Sequence, residues 1–129
     1  MSGKADLIKD WLKKADHDLG TAELTLAQKP EYTDTICFHC QQAVEKCFKA
    51  CLVHFDIIVP KIHNLAYLLD LIVERNPEFK LLYEEAEKLE DFSVEVRYPV
   101  DGYYPPVSEA TESLEIAKKI RIFTGSKLP

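Results

Sequence analysis

Four polar side chains recur at helical spacing in the middle of the chain, namely His39, Gln42, Lys46 and Lys49. Because residues three and four apart share a face of an α-helix, they form one polar stripe. An imidazole can move a proton near neutral pH, and an ammonium group can neutralise a phosphate. The opposite face is apolar and consists of Cys40, Ala43, Cys47, Ala50 and Cys51. Such a wide apolar face is typical of a central helix in a bundle, so the stripe must face solvent, a cleft or a partner subunit.

Each member of the stripe also has an interpretation that needs no ligand. Lys46 and Lys49 can neutralise a phosphate, or they can form a solvated face in which Lys49 pairs with Glu45 one turn earlier. Gln42 can bond to a base edge or to the backbone of a partner. His39 can carry a proton, although a structural, hydrogen-bonded histidine is the simpler interpretation and the one that we favour.

All four cysteines, Cys37, Cys40, Cys47 and Cys51, lie in this same stretch. The sequence offers no distant cysteine for a disulfide, which is consistent with a reducing compartment. Cys37-x-x-Cys40 beside His39 has the spacing of a metal or redox motif, but a tetrahedral site needs a second such pair. We therefore predict free thiols that pack as small hydrophobic residues, and no metal site.

The composition is that of one globular domain over residues 1–129. Hydrophobic residues make up 47% and charged residues 29%, and the formal net charge is −6. A broad basic surface for nucleic acid is therefore not expected, although a local basic patch is compatible with this charge. No apolar run is long enough to span a membrane, and the N-terminus lacks the apolar core of a signal peptide. We expect a cytoplasmic protein that does not contact membranes.

Apolar residues recur with helical periodicity along nearly the whole chain, which predicts an all-α fold. The predicted helices run from about Lys4 to Gln28, from Thr33 or Asp34 to Phe55, from His63 to Arg75, from Pro77 to Ser93, and onward from Ser108. We expect N-caps at Thr33 or Asp34, at Asn76 and at Ser108, with Pro77 in the first helical position after Asn76. We expect His63 to bond to the backbone where the third helix begins.

The segment Val94–Val107 is the exception, because three prolines and a glycine interrupt it. It is longer than the roughly two to eight residues that usually connect helices in a bundle, so we expect a functional loop. The rings of Tyr98, Tyr103 and Tyr104 can stack on a base, or they can be buried against the bundle or in a dimer interface. Arg97 can hold a phosphate with two parallel donors, or pair with a neighbouring carboxylate and order the loop.

Four landmarks follow one another along the chain. They are a long amphipathic first helix containing Trp11–Leu19, the run Gln42-Ala43-Val44-Glu45-Lys46, the triplet His63-Asn64-Leu65, and Arg97-Tyr98-Pro99. In this order and spacing they resemble the HEPN domain (higher eukaryotes and prokaryotes nucleotide-binding), whose QAVEK signature and H-x-L motif the second and third landmarks match. The resemblance covers about Lys4 to Lys119, which is almost the whole chain.

This resemblance implies an up-and-down bundle of four long helices plus a short additional helix, in a protein that forms a homodimer. Many prokaryotic members pair with a minimal nucleotidyltransferase as a toxin–antitoxin module. Others are RNases with an R-x(4–6)-H motif at the dimer interface, in which the arginine holds a phosphate and the histidine moves a proton. Here Arg97 would be that arginine, but Tyr103 and Tyr104 occupy the window of the histidine. Tyrosine, with an ordinary pKa of ~10, is a poor base at neutral pH.

Residues and resemblance together predict the HEPN half of a two-component module. It would bind a nucleotide, an RNA or its nucleotidyltransferase partner through Arg97, Tyr98, Tyr103, Tyr104 and the polar stripe. We expect no cofactor other than such a nucleotide, and no efficient catalysis by this chain alone. The alternatives are a metal-independent RNase, in which His39 or a tyrosine replaces the missing histidine beside Arg97, and a structural helical dimer without a ligand.

Overall fold

The structure, a computed structural model, describes residues 3–90, 92 and 104–129. In this part of the chain the regular structure is entirely helical: α1 Gly3–Gln28, α2 Thr33–His54, α3 Leu65–Val73, a 3₁₀-helix Pro77–Leu82, α4 Tyr83–Glu90 and α5 Val107–Ser126. The predicted all-α class is confirmed. Three of the helices are long, whereas α3 and α4 have nine and eight residues. Arg97, Tyr98 and Tyr103 lie outside the described residues, together with most of the segment 94–107.

α2 lies at the centre of the bundle. It packs against α1 along most of its length and also contacts α5, α3 and α4. Its predicted apolar face is confirmed, since every one of its members is fully buried: Cys40, Ala43, Cys47, Ala50 and Cys51. Phe48 and Leu52, at 0% exposure, are among the largest side chains of the core. The wide apolar arc thus explains the central position, because only a helix with neighbours on several sides can bury it.

Two of the predicted N-caps are wrong. α2 begins at Thr33 after Tyr32, which makes no side-chain cap bond, so neither Thr33 nor Asp34 is the cap. α5 begins at Val107, so Ser108 already lies within its first turn. The physical reason is Pro106, whose extended backbone conformation (φ −67°, ψ 159°) starts the helix one residue after the proline. Its carbonyl accepts the bond from the amide of Ala110 at 3.1 Å.

The region predicted as the fourth helix divides into two elements. Asn76 is the N-cap, as predicted, because its side chain accepts a hydrogen bond from the amide of Glu78 at 3.0 Å, and Pro77 follows in the first turn. The first six residues form the tighter 3₁₀-helix, and α4 continues from Tyr83. Phe79 anchors the 3₁₀-helix in the core, where its ring meets the Phe123 ring of α5 edge to face at 5.2 Å.

The four cysteines are buried and unpaired, and Cys40, Cys47 and Cys51 pack on the apolar face of α2, as predicted. Burial raises the pKa of the Cys37 thiol to about 11, and the pKa values of Cys40 and Cys47 to about 12. The described residues contain no cluster of His, Cys, Asp and Glu that could hold a metal ion. No helix within the described ranges combines the length and the hydropathy that a membrane span requires.

Candidate functional site

Asp18 of α1 is a buried carboxylate that faces the polar stripe of α2. Its side chain is 11% exposed, and each of its oxygens is bonded to one residue of the stripe. The ring Nδ1 of His39 lies 2.8 Å from Oδ1, and Nζ of Lys46 lies 2.5 Å from Oδ2. The His39 and Lys46 side chains remain 25% and 22% exposed. Asp18, His39 and Lys46 are called the Asp18 triad below.

The ionisation of Asp18 determines which atoms of this triad donate hydrogen bonds and which accept them. Burial by itself would raise the pKa of the Asp18 carboxyl, but the hydrogen bonds and charges of His39 and Lys46 together lower it below its ordinary value. Asp18 is therefore ionised at neutral pH and can only accept hydrogen bonds, so Nδ1 of His39 is the donor. In the neutral imidazole Nε2 is then the unprotonated nitrogen, and it is the atom of His39 that can take up a proton.

Glu45 is the centre of a second cluster of the same kind, called the Glu45 triad. Its Oε2 accepts a hydrogen bond from Nζ of Lys49 at 2.9 Å and lies 3.0 Å from Nδ1 of His63. Glu45 and Lys49 are almost fully buried, and the Lys49 ammonium lies 5.6 Å from the centroid of the Trp11 ring. His63, in contrast, is 68% exposed. The buried ion pair and the exposed histidine are thus joined through one carboxylate oxygen.

Two glutamines connect the clusters to each other and to the backbone. Gln41 is fully buried, and its Nε2 donates to the carbonyl of His63 at 3.2 Å. Gln42 donates from Nε2 to Oε1 of Gln41 at 2.7 Å and, more weakly, to Oε1 of Glu45 at 3.4 Å. If the amide oxygen and nitrogen of Gln42 were exchanged, its oxygen would face Oε1 of Gln41 and Oε1 of Glu45, and none of these three acceptors would have a donor. The N–H groups of Gln42 must therefore face inward. Gln42 therefore offers a ligand its carbonyl oxygen rather than a donor.

The predicted local role of His63 is wrong. The start of α3 is capped by Asn64, whose side chain accepts a hydrogen bond from the amide of Tyr67 at 2.8 Å, and the amide of Leu65 donates to Glu90 at 2.6 Å. His63 precedes this cap, and both its ring and its carbonyl bond to α2. It therefore fastens the α2–α3 connection to the central helix.

The structure separates the four residues of the stripe by accessibility. The predicted Glu45–Lys49 ion pair is confirmed, but the solvated face predicted for it is wrong, because both side chains are buried. His39 is hydrogen-bonded, as we favoured, and this bond uses its Nδ1 rather than its Nε2. Only His39, Gln42 and Lys46 keep a partly exposed side chain. A ligand that approaches the stripe therefore meets these three residues and reaches little of Lys49.

Among the aromatic candidates, the structure describes only Tyr104, whose side chain is largely exposed. It is thus available for stacking or for contact with a partner, and it is not buried against the bundle. Arg97, Tyr98 and Tyr103 lie outside the described residues, so their distance from the stripe is not defined.

Sequence reasoning missed three members of the network: Asp18, Gln41 and Glu45 as a shared acceptor. A signal for Asp18 is present, since it stands at heptad spacing from Trp11 and in register with Ala15 and Ala22, on the buried face of α1. A carboxylate on an apolar face requires a partner, because an unpaired buried charge is costly. The sequence thus signals that Asp18 needs a partner, though not which residue supplies it.

Comparisons with known proteins agree with this architecture. The family model of the HEPN domain matches residues 8–127. Among solved structures, TT1696 from Thermus thermophilus is 31% identical, with a TM-score of 0.79 over 94% of this chain and 98% of that chain. ST0689, described as an archaeal HEPN homologue, is 27% identical, with a TM-score of 0.72 over 95% of this chain and 98% of that chain. A comparison with curated proteins finds no significant match.

Proposed function

This chain belongs to the HEPN domain family, and on that premise we propose that it binds a nucleotide through the polar stripe of α2. We further propose that it is the HEPN half of a two-component, toxin–antitoxin-like module with a minimal nucleotidyltransferase, and that it acts as a homodimer. The observation that carries the proposal is the Asp18 triad, in which two bases bond to a buried carboxylate and each remain about a quarter exposed.

The charge distribution supports a phosphate group as the part of the ligand that is bound. The protein has a net charge of −6, which by itself repels an anion. At the stripe, however, the carboxylates of Asp18 and Glu45 are buried and bonded to bases, so the accessible edges belong to His39 and Lys46. Lys46 uses one of its three N–H donors on Asp18 and has two left for an anion. Arg97 would add a bidentate donor, as in the family motif.

Thermal unfolding with ATP tests nucleotide binding. We expect ATP to raise the melting temperature in a concentration-dependent way, because a ligand that binds only the native state stabilises it. Lys46→Met should abolish this increment relative to the melting temperature of the variant itself. Lys118→Met is the matched control, since Lys118 forms an exposed ion pair with Glu23 at 2.9 Å on a different helix. A flat response of the wild-type protein up to millimolar ATP would refute nucleotide binding.

Native mass spectrometry of the protein purified without a tag from its own host tests the two-component module and the homodimer. We expect a dimer mass, together with a co-purifying nucleotidyltransferase, a bound nucleotide or a nucleotidylated form of the chain. A homodimer that carries nothing would contradict the module and would favour the structural dimer. A monomer would contradict the homodimer.

A second function, metal-independent RNA cleavage, is supported by the Asp18–His39 pair. The carboxylate orients the imidazole, so that Nε2 could accept a proton from a ribose hydroxyl in place of the missing histidine of the family motif. If this is correct, both Arg97→Ala and His39→Ala should abolish cleavage of a single-stranded RNA. His17→Ala, which changes an exposed histidine of α1, should not affect it. Cleavage that survives Arg97→Ala would point to a contaminant or to another site.

A further inference from the structure

The two triads repeat one arrangement with one difference. In each, a buried carboxylate is bonded to Nδ1 of one histidine and to Nζ of one lysine. In the Asp18 triad both bases are about a quarter exposed, whereas in the Glu45 triad the histidine is exposed and the lysine is buried. Only the Asp18 triad can therefore present two donors, an imidazole and an ammonium, to the same external group.

The charge of the Asp18 triad depends on one proton. With His39 neutral, the carboxylate of Asp18 and the ammonium of Lys46 cancel, and the triad attracts an anion only weakly. With His39 protonated, the net charge is +1, and Nε2–H becomes a donor on the ring nitrogen that does not bond to Asp18. The described charged groups bonded within this cluster are Asp18 from α1 and Lys46 from α2. Gln42, between them on the stripe, turns its donors inward.

The two proposed donor residues are held by the same carboxylate. His39 and Lys46 stand two helical turns apart, about 10 Å along the axis, and both reach toward Asp18. They bond to its two different oxygens, so the two side chains converge at one carboxylate. An anion would use Nε2–H of His39, on the ring edge that does not face Asp18, and a second N–H of Lys46, while the carboxylate keeps both side chains in place.

We propose that the Asp18 triad is a proton-linked binding site for a doubly charged oxyanion, with Lys46 and the protonated His39 as its two donors. The inference rests on the proposed function only for the source of that group, which would be the terminal phosphate of a nucleotide. Because linkage is reciprocal, the anion favours protonation of His39, and a lower pH strengthens anion binding. The Glu45 triad lacks the second accessible donor and does not form such a site.

Nuclear magnetic resonance of the four histidine rings provides the test, with sulfate as the probe because it does not titrate near neutral pH. Each ring is titrated in sodium sulfate and in sodium chloride at equal ionic strength, and each resonance is assigned from a single His→Gln variant. We expect sulfate to move the titration midpoint of His39 upward by about half a pH unit, which corresponds to about threefold tighter binding of the anion to the protonated form.

The other three histidines are controls within the same chain. His63 is bonded to a carboxylate in the same way but lacks the second donor, so its midpoint should move less than that of His39. His17 and His54 belong to neither triad and should not move. In Lys46→Met the sulfate effect on His39 should fall to the level of His63. Equal movement of all four rings, or no movement of His39 in the wild-type protein, would overturn the proposal.

This outcome is independent of the nucleotide experiment. If ATP stabilises the protein but sulfate does not move His39, the proton-linked site is refuted and nucleotide binding stands with other contacts. If sulfate moves His39 but neither ATP nor AMP stabilises the protein, the anion site stands and the nucleotide is refuted as its ligand. In that case inorganic phosphate, titrated in the same way, becomes the ligand that the chemistry supports.

Discussion

Asp18→Asn is the substitution that tests the role of the polar network most directly. The change preserves the shape of the side chain but removes the negative charge that holds His39 and Lys46. The amide of the variant cannot accept from both neighbours, because one of its two polar atoms is itself a donor. At pH 7 the variant therefore leaves Lys46 partly buried without its counter-charge.

The expected cost follows from the geometry. Removing one partner of a buried ion pair costs about 3–5 kcal/mol. The His39 and Lys46 side chains are 25% and 22% exposed, so water can compensate in part, and we place the cost at the lower end, at about 3 kcal/mol. For a domain of 129 residues, this corresponds to a fall in melting temperature of about 11 °C.

The pH dependence supplies a second readout. The pKa of the Asp18 carboxyl is lowered in the folded protein, so its contribution to stability is fully present above the ordinary carboxyl pKa of ~3.9. The contribution is lost as the pH falls through the lower, folded-state pKa. In urea unfolding, the contribution of the Asp18 carboxylate to the difference between wild type and Asp18→Asn should therefore shrink below about pH 4.

Asp16→Asn is the matched control in the same helix. Asp16 accepts two hydrogen bonds from Arg121, at 2.7 and 3.2 Å, but its side chain is 51% exposed. An exposed pair of this kind contributes at most about 1 kcal/mol. If Asp18→Asn cost no more than Asp16→Asn, or if its cost were unchanged at pH 3, the inference that Asp18 is a buried, charge-stabilised acceptor would be wrong.

Three further predictions concern the core and the helix ends. The buried cysteines should resist a thiol reagent in the native protein and should all react in denaturant. The reason is that burial raises the pKa of the Cys37 thiol to about 11 and the pKa of the other three thiols further. Rapid labelling of several thiols in the native protein would contradict this burial. Glu45→Gln should destabilise more than Asp18→Asn in the same urea assay, because it leaves the almost fully buried Lys49 without a carboxylate; a smaller loss would show that Lys49 finds another partner. Asn64→Ala should cost about 1 kcal/mol, whereas Asn64→Asp, which keeps the acceptor, should cost less; equal losses would exclude capping as the cause.

The sequence predicts the long helices well because their determinants are local. α1 ends at Gln28, as predicted, shortly before Pro30, and the bounds of α2 agree with the prediction to within about one residue. The apolar face of α2 could be identified because the residues on the buried face of a helix recur three and four positions apart in the sequence. The predicted N-cap of α5 was wrong for an equally local reason, because the extended conformation of Pro106 starts the helix at Val107, one residue before Ser108.

The site was less predictable because its contacts are tertiary. His39 meets Asp18 across 21 positions of sequence, and His63 meets Glu45 across 18. Helical spacing shows which residues of α2 share a face, but it does not show how far α1 is rotated about its own axis. That rotation places Asp18, rather than a neighbouring apolar residue, opposite the stripe. Knowing that Asp18 occupies an apolar face would have revealed the need for a partner, though not which partner.

The central position of α2 constrains how its polar residues can be interpreted. Because α2 has neighbours on most sides, each buried polar group on it must be satisfied by a bond within the bundle, whatever its function. Glu45 and Lys49 meet this requirement by bonding to each other, and Gln41 meets it by bonding to Gln42 and to the carbonyl of His63. All three side chains are almost fully buried. Their replacement would reduce any activity by destabilising the fold, so such a loss would carry no information about a ligand.

His39 is different, because the bond from its Nδ1 to Asp18 satisfies one nitrogen and leaves the other available. Nδ1 thus serves the structure, and Nε2 is the atom that could bind an anion. His39→Asn places an amide near the position of Nδ1 and removes Nε2, whereas His39→Gln removes the Nδ1 position and can place an amide near Nε2. If the ring has only a structural role, His39→Asn should retain anion binding. If Nε2 is the anion donor, His39→Asn should lose anion binding while keeping more of the wild-type stability than His39→Gln.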